Sequence, residues 1–129
     1  MIEITLLIID DCHDSNSLIE FVLKHDTDWK IITALNGEEG VTQARRHRPN
    51  VILLDIAMPD LDGFDVYRIL KSDPTTSSIP IVFTTAMAGV ESKIKRQIAE
   101  DIIIISKPFN IRLLQKQIIN TCKCFSERV

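Results

Sequence analysis

The sequence predicts an α/β sandwich, a parallel sheet of five strands with helices on both faces. Two observations predict it. Four compact apolar runs, Leu6-Leu7-Ile8-Ile9, Val51-Ile52-Leu53-Leu54, Ile81-Val82-Phe83 and Ile102 to Ile105, do not alternate polar with apolar residues. Continuous runs of this kind are the pattern of strands covered on both faces. Stretches with helical spacing separate the runs, and strand–helix alternation with short connections forces parallel pairing through right-handed crossovers.

Taken in order, the first strand is Leu6 to Ile9. Leu18, Phe21 and Val22 stand at helical spacing behind it, with Ser15 as the expected N-cap. A weaker run, Trp29 to Leu35, mixes Ile31 and Ile32 with Thr33 and predicts a strand nearer the sheet edge. Val41 and Ala44 mark a second helix, closed by Pro49. After the Val51 run, Phe64, Tyr67 and Leu70 mark a third helix, opened by Asp62-Gly63 and ended before Pro74. Val90, Ile94 and Ile98 give a fourth helix a narrow apolar stripe after the Ile81 strand. The last strand, from Ile102, leads into a helix lined by Ile111, Leu114, Ile118 and Cys122.

A chain of 129 residues with no linker, repeat or low-complexity stretch is read as one domain over residues 1–129. Its 45% hydrophobic and 26% charged content is ordinary for a globular protein. The net charge of −3 offers no basic footprint, which argues against direct nucleic-acid binding. No apolar run approaches the ~20 residues of a membrane span, and no signal peptide opens the chain. Cys12, Cys122 and Cys124 have no framework spacing, so reduced thiols in the cytoplasm are expected. His13, His25 and His47 have no ligand spacing either.

Doubly wound sheets carry their sites at the carboxyl ends of the strands. There the sequence places Asp10 and Asp11, then Asp55, then Thr84-Thr85-Ala86, then Ser106-Lys107-Pro108. Each piece has a structural explanation of its own: an acidic pair caps a helix, an Asp ends a strand in a turn, Lys-Pro fills a loop. Their joint appearance at successive strand ends is harder to explain so, because Asp55 follows Asp11 by 44 residues and precedes Lys107 by 52. Three carboxylates in one place repel unless a cation joins them. Mg²⁺, which takes one or two carboxylates, waters and a phosphate oxygen, is the natural occupant. Lys107 adds a positive charge and Thr85 a hydroxyl donor, both suited to a phosphoryl group, and Asp is an established phosphoryl acceptor.

In this set of residues the sequence resembles the receiver domain of bacterial two-component response regulators. The resemblance rests on Asp10-Asp11, the segment Leu54-Asp55-Ile56-Ala57-Met58-Pro59-Asp60-Leu61-Asp62-Gly63, the Thr85-Ala86 step and Lys107-Pro108-Phe109, and covers essentially the whole chain. It implies a flavodoxin-like sheet in the order 2-1-3-4-5. It also implies Asp55 as phosphoacceptor and Mg²⁺ held by Asp11, Asp10 through water, Asp55 and the backbone carbonyl of Ala57. Thr85 and Lys107 would bind phosphoryl oxygens, with a cis Lys107–Pro108 bond. Pro59 and Gly63 would shape the loop before the third helix. The donor would be a histidine kinase or a histidine phosphotransfer protein. Non-acidic Ala57 and Met87 would leave hydrolysis slow and unassisted, so no enzyme beyond self-phosphorylation and slow autodephosphorylation is expected.

The sequence departs from the family at the switch position, three residues before Lys107. Receivers carry Tyr or Phe there; this chain has Ile104, stiff and without a polar tip. Ile103 and Ile105 are expected to fill the core, while Ile102 and Ile104 add apolar area to an output face formed with the fourth helix. That face is expected to bind a downstream protein or a second copy of the chain. Val129 follows the last helix closely, so a stand-alone receiver, or one excised from a longer protein, is expected with no output domain. Two alternatives keep the fold: a small Mg²⁺-dependent aspartyl phosphatase, and an interaction module independent of phosphorylation. The phosphatase would want a second acid two residues after its nucleophile, where Asp55 is followed by Ile56 and Ala57. A flavin carrier would want a phosphate cradle, not two carboxylates, after the first strand.

Overall fold

Five strands, β1 (Thr5–Ile9), β2 (Lys30–Ala34), β3 (Val51–Asp55), β4 (Ile81–Thr85) and β5 (Ile103–Ser106), pair in parallel in the order β2-β1-β3-β4-β5. This is the flavodoxin-like doubly wound order. The computed structural model describes residues 3–59, 61–86 and 102–127, with side chains in the last span through Cys122. Helices α1 (His13–Asp26), α2 (Gly37–His47) and α3 (Gly63–Ser72) follow the first three strands, and a C-terminal helix (Ile111–Glu127) follows β5. The expected fourth helix, with Val90, Ile94 and Ile98, lies outside the described residues, as does Met87.

The apolar runs divide between two cores because neighbouring strand residues face opposite ways. Leu7, Ile9, Ile52, Leu54 and Phe83 pack with Val41, Ala44, Val66 and Leu70 of α2 and α3. Leu6, Ile8, Leu53 and Val82 pack with Ile19 and Leu23 of α1 and with Leu114 and Ile118 of the C-terminal helix. The run Trp29 to Leu35 is the edge strand β2, where Lys30 is exposed. Asp62 caps α3 as expected, its side chain accepting from the Asp65 N–H. Ile103 and Ile105 pack on the α1 side, and Ile102 and Ile104 on the α2–α3 side.

The first helix departs from expectation in two ways. It begins at His13 with Cys12 at the N-cap, not at Ser15, because the Asp10 carboxylate accepts the Cys12 N–H at 2.9 Å and turns the chain at once. Its buried face is Asn16, Ile19 and Leu23, whereas Leu18 and Phe21 are 59% and 71% exposed. Two apolar sets stand at helical spacing in this segment, and the way α1 docks on the sheet selects the other one.

Helix α2 ends at Arg48, whose φ of 43° lies in the left-handed region. A side chain is strained there and glycine is not. Arg48→Gly is expected to raise stability by about 0.5–1 kcal/mol in urea denaturation. An unchanged or lower midpoint would contradict this account of the turn.

Candidate functional site

The carboxyl ends of β1, β3, β4 and β5 meet on one rim, and the side chains there are far from neutral. Asp55 is the last residue of β3 and the register partner of Thr84. Asp10 follows β1, its N–H still bonded to the Ala34 carbonyl at 3.1 Å. One carboxylate oxygen from each of Asp10, Asp11 and Asp55 lies within 4.8 Å of the others, with Asp10 and Asp55 buried and Asp11 exposed. Lys107 enters from the end of β5. Its Nζ donates to Asp10 Oδ2 at 2.7 Å and lies 3.6 Å from Asp55 Oδ2. Thr85 is buried beside them, and its carbonyl accepts from the Lys107 N–H at 2.7 Å, so the threonine and the lysine are tied through main chain. The Lys107–Pro108 bond is cis.

This packing leaves Asp55 short of compensation. Burial first, then the charge of Asp10, push its carboxyl from 3.8 up to about 6, while Lys107 and the Ala57 N–H pull it down and Asp11 adds a smaller push upward. Burial alone would lower the Lys107 amine, but its hydrogen bond to Asp10 and the charges of Asp10 and Asp55 outweigh that and hold it above the usual lysine value. The site is therefore one positive charge against three negative groups. Among the described residues this trio of carboxylates is the group that could hold a metal ion.

The loop after β3 is built around Asp55. Ile56 N–H donates to the Thr84 carbonyl at 3.0 Å, and the chain returns so that the Gly63 N–H donates to the Ile56 carbonyl at 3.0 Å. A Cβ on Gly63 would stand 2.5 Å from the Asp55 carbonyl oxygen and 2.7 Å from Ile56 Cα, so only glycine fits. The start of α3 thus rests on the backbone of Asp55.

Every site residue expected at a strand end lies on this rim. Ile104 lies deeper, half-buried, paired with Phe83 in the register and packed against the α2–α3 core. The segment that would face it from the fourth helix lies outside the described residues. Two contributors went unread in the sequence. The sequence places Gly63 in the loop before α3 but gives no sign of its contact with the Asp55 backbone. Asn16 was missed altogether: it is buried on α1 and its Nδ2 donates to the Asp10 carbonyl at 2.8 Å. The available signal was a polar residue in line with Ile19 and Leu23, on the face that packs against the sheet. Cys122 is half-buried, and burial pushes its thiol up.

Residues 6–119 match the family model of the response regulator receiver domain. The chain belongs to that family. Among curated proteins this receiver is similar to protein PilH of Pseudomonas aeruginosa, 37% identical over 116 residues, which cover 88% of this chain and 93% of PilH. It is also similar to the response regulator PleD of Caulobacter vibrioides, 40% identical over 90 residues, which cover 70% of this chain but only 20% of PleD. In three dimensions it resembles a CheY-like receiver domain protein from Methanospirillum hungatei, with a TM-score of 0.86 at 20% identity and 99% of this chain and 100% of that one covered. The receiver therefore takes part in two-component signalling. Among the described residues no helix is long and apolar enough to cross a membrane.

Proposed function

We propose that this receiver accepts a phosphoryl group on Asp55 from a phosphohistidine of a histidine kinase or histidine phosphotransfer protein in the cytoplasm. The observation that carries the reading is a buried carboxylate with two further carboxylates within 4.8 Å and a lysine amine at 3.6 Å. An aspartate whose ionised form is disfavoured by burial and by the charge of Asp10 fits a hard divalent cation, and the all-oxygen donor set fits Mg²⁺. Asp11, Asp55 and the Ala57 carbonyl would hold it directly, and Asp10 through water. When bound, Mg²⁺ supplies the positive charge that lets the carboxylates and a phosphoryl group share the rim.

An Asp55 oxygen attacks phosphorus in line, the bond from phosphorus to the donor imidazole nitrogen breaks, and its electron pair stays on that nitrogen. Lys107 sits where it neutralises charge on the equatorial oxygens, and the Thr85 hydroxyl donates to one of them. Movement of Thr85 biases the neighbouring β4–β5 face, a local charge change with a distant readout. Ile104 occupies that face without a rotating aromatic, so the face is read by a protein partner, or a second copy, through standing apolar contact. Leu18 and Phe21 of α1 and Leu113 of the C-terminal helix are all well exposed, and both helices begin at the rim.

The deciding experiment is incubation with Mg²⁺ and acetyl phosphate, followed by intact mass. The parent is expected to gain one phosphoryl group and Asp55→Asn none. Equal gain in both, or none in the parent at saturating reagent, would reject the assignment. Catalytic turnover of small phosphomonoesters would favour the aspartyl phosphatase instead.

A further inference from the structure

We propose that Asn16 is a positioning residue for the metal-binding rim: by holding the main chain of Asp10, it sets the direction of the Asp10 carboxylate and thereby how Lys107 is shared between Asp10 and Asp55. The inference rests on the phosphoacceptor reading and adds a residue to it.

Asp10 sits where the sheet ladder runs out. The β1–β3 pairing ends at Ile9 and Leu54, so the buried Asp10 has lost its strand partner on that side. Asn16 Nδ2 donates to the Asp10 carbonyl at 2.8 Å and lies 3.5 Å from the Ala34 carbonyl at the end of β2. One side-chain amide thus joins the ends of β1 and β2 from above. Both carboxylate oxygens of Asp10 are then committed, Oδ1 to the Cys12 N–H at 2.9 Å and Oδ2 to Lys107 Nζ at 2.7 Å. A rotation of the Asp10 main chain would break both bonds and release Lys107 toward Asp55, from which it is 3.6 Å.

The chemistry of the position argues against simple packing. Asn16 shares its helix face with Ile19 and Leu23, where an apolar residue would bury at lower cost. Its Oδ1 is buried and has no hydrogen-bond partner among the described residues. A buried amide used on one side only is a poor staple for stability, yet a good one for direction. Groups that orient metal ligands act in this way.

The test uses Asn16→Leu, which keeps the branched shape with apolar groups, and the smaller Asn16→Ala as a second variant. Mg²⁺ is titrated into each folded protein and followed by amide resonances; in the metal-free proteins hydrogen exchange at the Cys12 amide is measured, because that N–H reports the Asp10 carboxylate. The expected result is a Mg²⁺ midpoint raised about tenfold in both variants. Cys12 exchange should be faster by more than any change in global urea stability explains. A purely structural role predicts lower stability with the midpoint within twofold of the parent, and that result overturns the proposal. A parent that binds no Mg²⁺ would instead reject the functional reading itself, and this inference with it.

Discussion

Asp55→Asn is expected to be more stable than the parent at pH 7.5 in the absence of divalent cations, by about 1–3 kcal/mol in urea denaturation. The reason is the shift of Asp55 from 3.8 to about 6, caused first by burial and then by Asp10. A folded state that raises an acid's pKa binds a proton over the window from 3.8 to about 6 that the unfolded chain has already released. Stability therefore falls as pH rises through that window, and the penalty is fully present above it. Asparagine keeps the shape and removes the charge, so its advantage should shrink below pH 6 and vanish near pH 4. On the proposed function Mg²⁺ should reverse the order, because a ligand that binds only the folded form stabilises it in proportion to ln(1 + [L]/Kd), and the parent is expected to bind it better. A parent as stable as the variant at pH 7.5 without metal, or an advantage that persists at pH 4, would mean that Asp55 is not electrostatically strained.

Gly63→Ala should go the other way, with a loss of about 2–3 kcal/mol and a marked fall in the rate of Asp55 phosphorylation by acetyl phosphate. Helix propensity alone predicts the opposite sign, since Gly63 is the first residue of α3 and alanine is the better helix former by up to about 1 kcal/mol. What decides is the identity of the neighbours. The added Cβ would meet backbone atoms, the Asp55 carbonyl oxygen at 2.5 Å and Ile56 Cα at 2.7 Å, which cannot swing aside as a side-chain tip would. Relief requires lifting α3 off the end of β3, and that moves Asp55. A stable, fully active alanine variant would show that the loop has room to adjust.

Both cases mark where local pattern stops being informative. The strands of the interior were readable because both of their faces are covered, which leaves Leu6 to Ile9 or Val51 to Leu54 no polar partner to alternate with. The edge position of β2 was readable because Lys30 and Thr33 interrupt its run. The candidate site was readable for a related reason. Carboxylates, a threonine and a lysine that follow apolar strands must sit at strand ends, and parallel strands put all those ends on one side. The rim could be assembled from the chain alone.

The face of α1 could not. Leu18 with Phe21 and Ile19 with Leu23 are equally good apolar pairs at helical spacing. The helix start is set locally, by the Asp10 carboxylate taking the N–H of Cys12 two residues on, but which set is buried is decided by how α1 docks on the sheet. The sharing of Lys107, 2.7 Å from Asp10 and 3.6 Å from Asp55, is likewise set by two strand ends fixed by pairing with different neighbours. The sequence by itself determined which residues gather on the sheet's carboxyl rim, because hydrophobic runs and strand polarity are properties of the chain. The tertiary structure alone decided which carboxylate holds the lysine, how far Asp55 is pushed from its ordinary acidity, and that Asn16 and Gly63 belong to the site. Those are matters of distances between segments far apart in sequence, and electrostatic and steric energies change steeply over less than an ångström.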